Sequence, residues 1–335
     1  MTKNAIRVSI GLLILLFVGG ALSSCGSMNM KWAQPQRTLS SGYVKRINTA
    51  RVHNIVVQNE LEPAHMTIVG APFIVGALPA ALIAAHERAK ADEARTLALE
   101  KMRPLQDAVR DVDFRKMVNE RVLPKVTATN WLRISKITHL NQDVSINQFK
   151  TELQSGSEDT VVTLHTSYQL LPKFTSLSLS SVVKVWLKSE KNTPIYIGTF
   201  EYQSLPVVAE PIASEDAEDK VATEAIASKA LAKWMESNQA AYRYAISQGI
   251  REIAAMIRYE LDERGGVADF GNEKVRLPYS TSGEEGRVNL DAKVIRKSGN
   301  RYWIRANRIM VSLGKDGLLM GARETGEYVA AVRTQ

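Results

Sequence analysis

The sequence predicts an α+β fold: an antiparallel sheet, a meander near residues 160–203, packed against amphipathic helices, with a small all-β region at the C-terminus. Three observations carry this reading. From Thr160 to Leu170, Val162, Leu164, Thr166, Tyr168 and Leu170 alternate with Val161, Thr163, His165, Ser167 and Gln169, which is the two-residue period of a strand. From Tyr242 onward, Ile246, Ile250, Ile253, Ile257 and Leu261 recur at helical spacing, giving one apolar stripe. After Gly266 the chain changes to short alternating runs separated by turn residues.

Taken in chain order, Arg51–Asn59 is rich in β-branched residues and predicts a first strand. Met66–Ala85 then runs for about twenty residues without a charge, a length that by itself suits a membrane span. Pro72 and Pro79 interrupt it, its residues are small, and it passes without a loop into the charged run after His86, so a helix from near Pro79 to about Met102 is expected. Gly76, Ala80 and Ala84 recur every four residues, as do Ala77, Ala81 and Ala85, a spacing that lets another backbone come close. Three meanings stay open for residues 66–85: internal packing, association with a second copy or an envelope partner, and contact with membrane.

Pro104–Val122 places Leu105, Val109, Val112, Met117 and Val118 among charges, as a surface helix that Pro124 would end. Trp131–Leu140 reads as a strand. Beyond the Pro172-Lys173 turn, Leu177, Leu179, Val183, Val185 and Leu187 alternate with Ser178, Ser180, Lys184 and Lys188, and Ile195–Tyr202 supplies a third run. The meander should therefore have one dry and one wet face. Asp216–Trp234 is helical in composition, and the helix from Tyr242 should stop at Gly265-Gly266. Its stripe is expected to meet the dry face. Val288–Ile295 and Tyr302–Ile304 suggest a hairpin around Ser298-Gly299-Asn300.

The first residues carry the one strong motif. Lys3 and Arg7 precede the apolar stretch Ile10–Val18, and Leu22-Ser23-Ser24-Cys25 follows. This stretch resembles the signal peptide and lipobox of bacterial lipoproteins, over about the first twenty-six residues and no further. The resemblance implies that residues 1–24 are removed, that Cys25 carries a diacylglycerol on its sulfur, and that the new amino terminus is acylated as well. Several chains are needed for stable anchoring, because a single one holds only marginally. Gly26 and Ser27 stand where the family's inner-membrane retention signal would place aspartate, which implies the outer membrane, facing the periplasm. The expected organisation is thus signal 1–24, lipid-anchored tether 25–50, an α+β domain 51–265, and a small β domain or appendage 266–335.

Cys25 is the single cysteine, so disulfides, thiolate clusters and a cysteine nucleophile are excluded from the mature chain. The formal charge of +8 falls to about +6 without Lys3 and Arg7, a modest excess that favours anionic partners such as lipid head groups or acidic cell-wall polymers. The scattered basic residues and the compartment argue against nucleic acid. No G-x-S-x-G, H-E-x-x-H, phosphate-binding glycine loop or EF-hand loop occurs. His53, His65, His86, His139 and His165 have no metal-ligand spacing, and no cofactor is implied. Ser181 and Lys184 match S-x-x-K, with Lys297-Ser298-Gly299 as a loose later element, but an offset of three in a strand puts the two side chains on opposite faces. Glu284-Glu285 reads as solvated loop charge. The functional expectation is a non-enzymatic binding or scaffold module, with an export-channel subunit or an envelope hydrolase of scattered catalytic residues as alternatives. No catalytic residue is nominated.

Overall fold

The computed structural model describes Leu39 and residues 41–63, 78–142, 144–190, 193–208, 220–263, 274–280, 287–306, 309–314, 318–323 and 326–331. Its strands are β1 (Ala50–Ile55), β2 (Glu62–Pro63), β3 (Ile134–Leu140), β4 (Thr160–Leu170), β5 (Leu177–Leu187), β6 (Tyr196–Gln203), β7 (Lys274–Ser280), β8 (Arg287–Ser298), β9 (Arg301–Ala306), β10 (Ile309–Gly314), β11 (Leu318–Arg323) and β12 (Gly326–Ala331). The helices are α1 (Ser41–Val44), α2 (Leu78–Ala108), α3 (Phe114–Arg121), α4 (Leu123–Thr127), α5 (Ile146–Ser155) and α6 (Lys220–Arg258).

The main sheet runs in the order β3-β1-β4-β5-β6-β10-β9-β8-β7, with β2 attached to β4, while β11 and β12 form a separate ribbon. The α+β reading holds. The meander is antiparallel as read, with Val162 opposite Val185 and Leu179 opposite Tyr202. The sheet as a whole is not antiparallel, which corrects the expectation: β1 runs parallel to both β3 and β4, and β10 runs parallel to β6.

The reason lies in the connections. Antiparallel neighbours can be joined by a tight turn, whereas parallel neighbours need a crossover long enough to hold a helix. A turn at Pro172–Phe174 joins β4 to β5. Helices α2 to α4 lie between β1 and β3, α5 lies between β3 and β4, and α6 lies between β6 and β10. Among the described residues beyond 266 the elements are strands, and β7 to β10 continue the main sheet through the β10–β6 pair. The expected hairpin forms, its turn using Gly299 at φ 57.

One face of the sheet holds the main core. Val52, Val162, Leu164, Leu170, Leu179, Val183, Phe200 and Tyr202 are buried there together with Ile246, Ile250, Ile253 and Ile257 of α6. The close approach centres on Gly249, where a Cβ would stand 2.7 Å from Tyr202 Cδ1 and 2.9 Å from Leu179 Cδ1. Phe114 of α3 adds its ring 4.0 Å from that of Tyr168.

The other face is only half covered. Phe149 and Leu153 of α5 pack on Ile55, Val161 and Trp186. The expected wet face is therefore dry at one end, because the β3–β4 crossover must lie across it.

The helices differ from the reading at two prolines. Pro104 lies inside α2, which continues to Ala108, and the chain turns before Asp113, whose carboxylate accepts the Lys116 N–H at 2.9 Å and starts α3. Pro124 ends nothing: it occupies the first turn of α4, where its missing N–H costs no hydrogen bond. The two helices read as Asp216–Trp234 and Tyr242–Leu261 are separated as read: both lie within α6, which is broken between them by left-handed Ser237, Asn238 and Gln239 (φ 51, 56 and 55) and closes in a π-turn, Tyr259–Glu263. Gly265-Gly266 and residues 216–219 lie outside the described residues. Among the described residues no helix is long and apolar enough to cross a membrane.

Candidate functional site

Cys25 lies outside the described residues, as do residues 66–77 of the uncharged segment, His65, and Glu284-Glu285. Residues 78–85 are helical in α2, but their side chains and that of His86 are also outside the described set. The described chain offers two polar clusters and one cleft.

The first cluster lies under α5. The β1–β3 and β1–β4 registers place Arg51 and His53 on the half-covered face beside Lys136, Thr138 and Thr163. Ser145 caps α5 by accepting the Gln148 N–H at 3.2 Å, and this start sets Phe149 and Glu152 over β1. Glu152 Oε2 stands 3.0 Å from His53 Nε2, and the Phe149 ring meets the imidazole edge-on at 5.3 Å. Burial lowers the pKa of His53 below the ordinary histidine value; Glu152 opposes this and the charges of Arg51 and Lys136 reinforce it. Arg51 Nη2 donates to Glu158 at 2.9 Å, and Ser135 Oγ donates to the same carboxylate at 2.9 Å. Glu158's own backbone N–H is the largest influence holding its carboxyl below the usual range. An imidazole beside a carboxylate is capable of proton transfer, but His53 is 3% exposed with a phenyl ring across it. The pair fastens α5 to the sheet: His53 is enclosed, whereas the Glu152 side chain keeps 30% of its surface exposed.

The other described histidines do not join it. His139 is exposed, with Nδ1 3.5 Å from Asn54 Nδ2, and His165 is half-buried on the face expected for it. Ser181 and Lys184 point to opposite faces: Ser181 is buried against Thr166 at 2.9 Å between hydroxyl oxygens, whereas Lys184 is half-exposed on the other side.

The second cluster was not visible in the sequence reading. Arg301 of β9 is 7% exposed and lies 4.4 Å over the Tyr202 ring. Its guanidinium donates to Ser312 Oγ at 3.0 Å, Gln203 O at 2.7 Å and Ser312 O at 2.7 Å. Glu252 of α6 accepts from Trp303 Nε1 at 2.6 Å and Ser312 Oγ at 2.8 Å, and Arg305 pairs with Glu260. Burial pushes Arg301 down and the Tyr202 phenol up from their ordinary values. With Nε and Nη2 bonded to the protein, Arg301 clamps β9 and β10 to the end of β6, and Glu252 ties the same strands to α6. The available signal was Arg301, Trp303 and Arg305 at strand alternation, a basic and aromatic face requiring acids opposite.

A cleft of about 360 Å³ opens where α4 meets the end of α6, lined by Lys125, Ala128, Asn130, Arg258 and Asp262. Trp131 Nε1 donates to Leu261 O at 3.1 Å beside it, joining the two walls. Its donors are those that contact oxyanions, with one carboxylate among them. Among the described residues no group of three His, Cys, Asp or Glu side chains is placed to hold a metal ion. No protein-family model matches the chain, and neither does any curated protein.

Proposed function

We propose that this chain is a lipid-anchored protein of the bacterial cell envelope that acts as a non-enzymatic binding or scaffold module on the periplasmic side of the outer membrane. The observation that carries the reading is the order of Lys3 and Arg7, the apolar stretch Ile10–Val18, and Leu22-Ser23-Ser24-Cys25. Gly26 and Ser27 after the cysteine favour the outer membrane. The non-enzymatic part is supported by what the two buried polar clusters do. His53 with Glu152 attaches a helix to the sheet, and Arg301 with Gln203 and Ser312 attaches strands to one another.

The test is metabolic labelling with palmitate in cells producing the wild-type chain or Cys25→Ser. The wild type should take up label and appear as the shortened, acylated species in the outer-membrane fraction. The variant should take up none and keep residues 1–24. Label persisting in Cys25→Ser would overturn the assignment of the lipid.

A further inference from the structure

We propose that the end of the sheet where the chain enters the fold, carrying Lys45, Lys125, Arg133 and Arg258, is a contact surface for the phosphate head groups of an anionic phospholipid bilayer. The proposal rests on the lipid-anchor reading above.

The first support is placement. Residues after α1 lead directly into β1, held by Asn48 and Thr49 N–H groups that donate to the Asp159 carboxylate at 2.9 and 3.2 Å. Ala50 N donates to Arg133 O at 2.8 Å, so the entering chain lies against the residue just before β3. Arg133 follows Asn130 by three positions, and Asn130 shares the cleft with Lys125 and Arg258. The chain's entry and the basic cleft thus occupy the same end of the sheet.

The second support is charge. Lys45, Arg133 and Arg258 are exposed and Lys125 is half-buried. Among the described residues, no acidic partner pairs with Lys45, Lys125 or Arg133. Most nearby acids are already engaged: Glu158 by Arg51 and Ser135, Glu190 by Arg46, and Asp159 by the two backbone N–H groups. Asp262 is the acid within the cleft. Through Lys45, Lys125 and Arg133 the end therefore presents donors and positive charge that pair with no acid among the described residues.

The third support is the length of chain that precedes it. About fourteen residues separate Cys25 from Leu39, which span at most about 50 Å when extended. An anchored domain on such a tether meets the bilayer at high effective concentration, so a surface of weak intrinsic affinity is enough to orient it. The bilayer is the polyanion held beside this end, whereas a cell-wall polymer would have to be met by diffusion. Each basic side chain near an anionic leaflet is worth about fivefold in partitioning. Three of them give roughly a hundredfold, felt only within about 10 Å of the surface at moderate salt.

The experiment uses the full acylated chain in two sets of vesicles, phosphatidylcholine alone and phosphatidylcholine with about a third phosphatidylglycerol. Hydrogen exchange is followed at residues 125–133 and, as a control, at residues 196–203. Exchange at 125–133 should be slower in the anionic vesicles only. The protection should vanish at about 0.5 M NaCl and in the Lys125→Glu, Arg133→Glu, Arg258→Glu triple variant. The salt titration on the unaltered chain decides the matter if that variant does not fold. Equal exchange in both vesicles, protection that survives salt, or protection given by soluble peptidoglycan fragments and not by vesicles would each overturn the proposal. Mass spectrometry of the Cys25 peptide is read separately. An unacylated Cys25 defeats the lipoprotein reading whatever the exchange data show, while the exchange data decide the surface.

Discussion

The two faces of the sheet are built from the same strands and behave differently. Strand β4 shows the contrast within one element. Its first five residues, Thr160 to Leu164, are all buried, and from His165 onward burial alternates residue by residue. The face under α6 is dry along the whole strand, with Val162, Leu164, Tyr168 and Leu170 at or below 2% exposure. The opposite face is dry only where α5 lies on it, at Val161 and Thr163, and becomes half-exposed at His165, Ser167 and Gln169. Strand β5 is likewise buried on both faces at Val185, Trp186 and Leu187, and it is buried again at its opposite end, at Leu177, Ser178 and Leu179. Alternation in a sequence therefore reports that one face meets water. Its loss at Thr160 to Leu164 and at Val185 to Leu187 reports a second covering layer, to which α5, ten residues long, contributes Phe149 and Leu153.

If the α6 side carries most of the stability, the largest effect should come from its stripe. Ile250 is fully buried between α6 and the sheet. Ile250→Ala should lower the unfolding free energy by about 2–5 kcal/mol, the usual loss for a buried isoleucine truncated to alanine. Chemical denaturation measures it, and a change within error would mean that α5, not α6, covers the face that matters. Gly249→Ala probes the same contact by adding an atom. Alanine gains about 1 kcal/mol of helix propensity over glycine, but its Cβ would stand 2.7 Å from the buried Tyr202 ring. Overpacking of this kind costs about 1–3 kcal/mol, so a net destabilisation below that of Ile250→Ala is expected. A more stable variant would show that α6 sits farther from the sheet.

The same contrast explains what the sequence allowed to be read. The meander and the α6 stripe were legible because each has one wet side, so period and burial coincide. The parallel pairs were not read, although the long helical stretches before β3, β4 and β10 bear on strand direction. A run such as Val161 to Leu164 appears continuous rather than alternating, and local pattern alone says nothing of its neighbours. Prolines misled in both directions: Pro104 is carried inside α2, and Pro124, expected to end the helix before it, opens α4 instead. The break in α6 falls in the gap read between Trp234 and Tyr242, although no glycine or proline stands there. Tertiary contacts hold it, with Arg243 paired to Asp111 through two 2.8 Å contacts and Trp234 Nε1 bonded to Phe174 O at 2.6 Å. The polar clusters were hidden for a related reason, since Glu152 reaches His53, and Glu252 reaches Trp303, from elements far apart in the chain.

The smallest effect should be the one that separates the two faces by pH. His53 lies under α5 with Glu152, Arg51 and Lys136 around it, whereas the α6 stripe over the meander is aliphatic. Burial sets the folded-state pKa of His53 below the unfolded value, with Arg51 and Lys136 adding to the depression and Glu152 opposing it. A group depressed on folding binds its proton more readily in the unfolded chain. Its contribution is therefore fully present above the unfolded histidine value, near 6.5, and is lost as the pH falls below it. Acidification from about pH 8 to pH 5 should loosen α5 before α6. Corrected for the slowing of intrinsic exchange in acid, the protection factors at residues 146–155 should fall over that interval while those at 242–257 stay nearly constant. Carboxylates such as Glu158, also depressed, would add a loss of stability at lower pH, so His53→Gln is the control that isolates the imidazole. In that variant the pH dependence at 146–155 should flatten. A slope unchanged by His53→Gln would assign the sensitivity to the carboxylates, and faster loss at 242–257 than at 146–155 would reverse the ranking of the two faces.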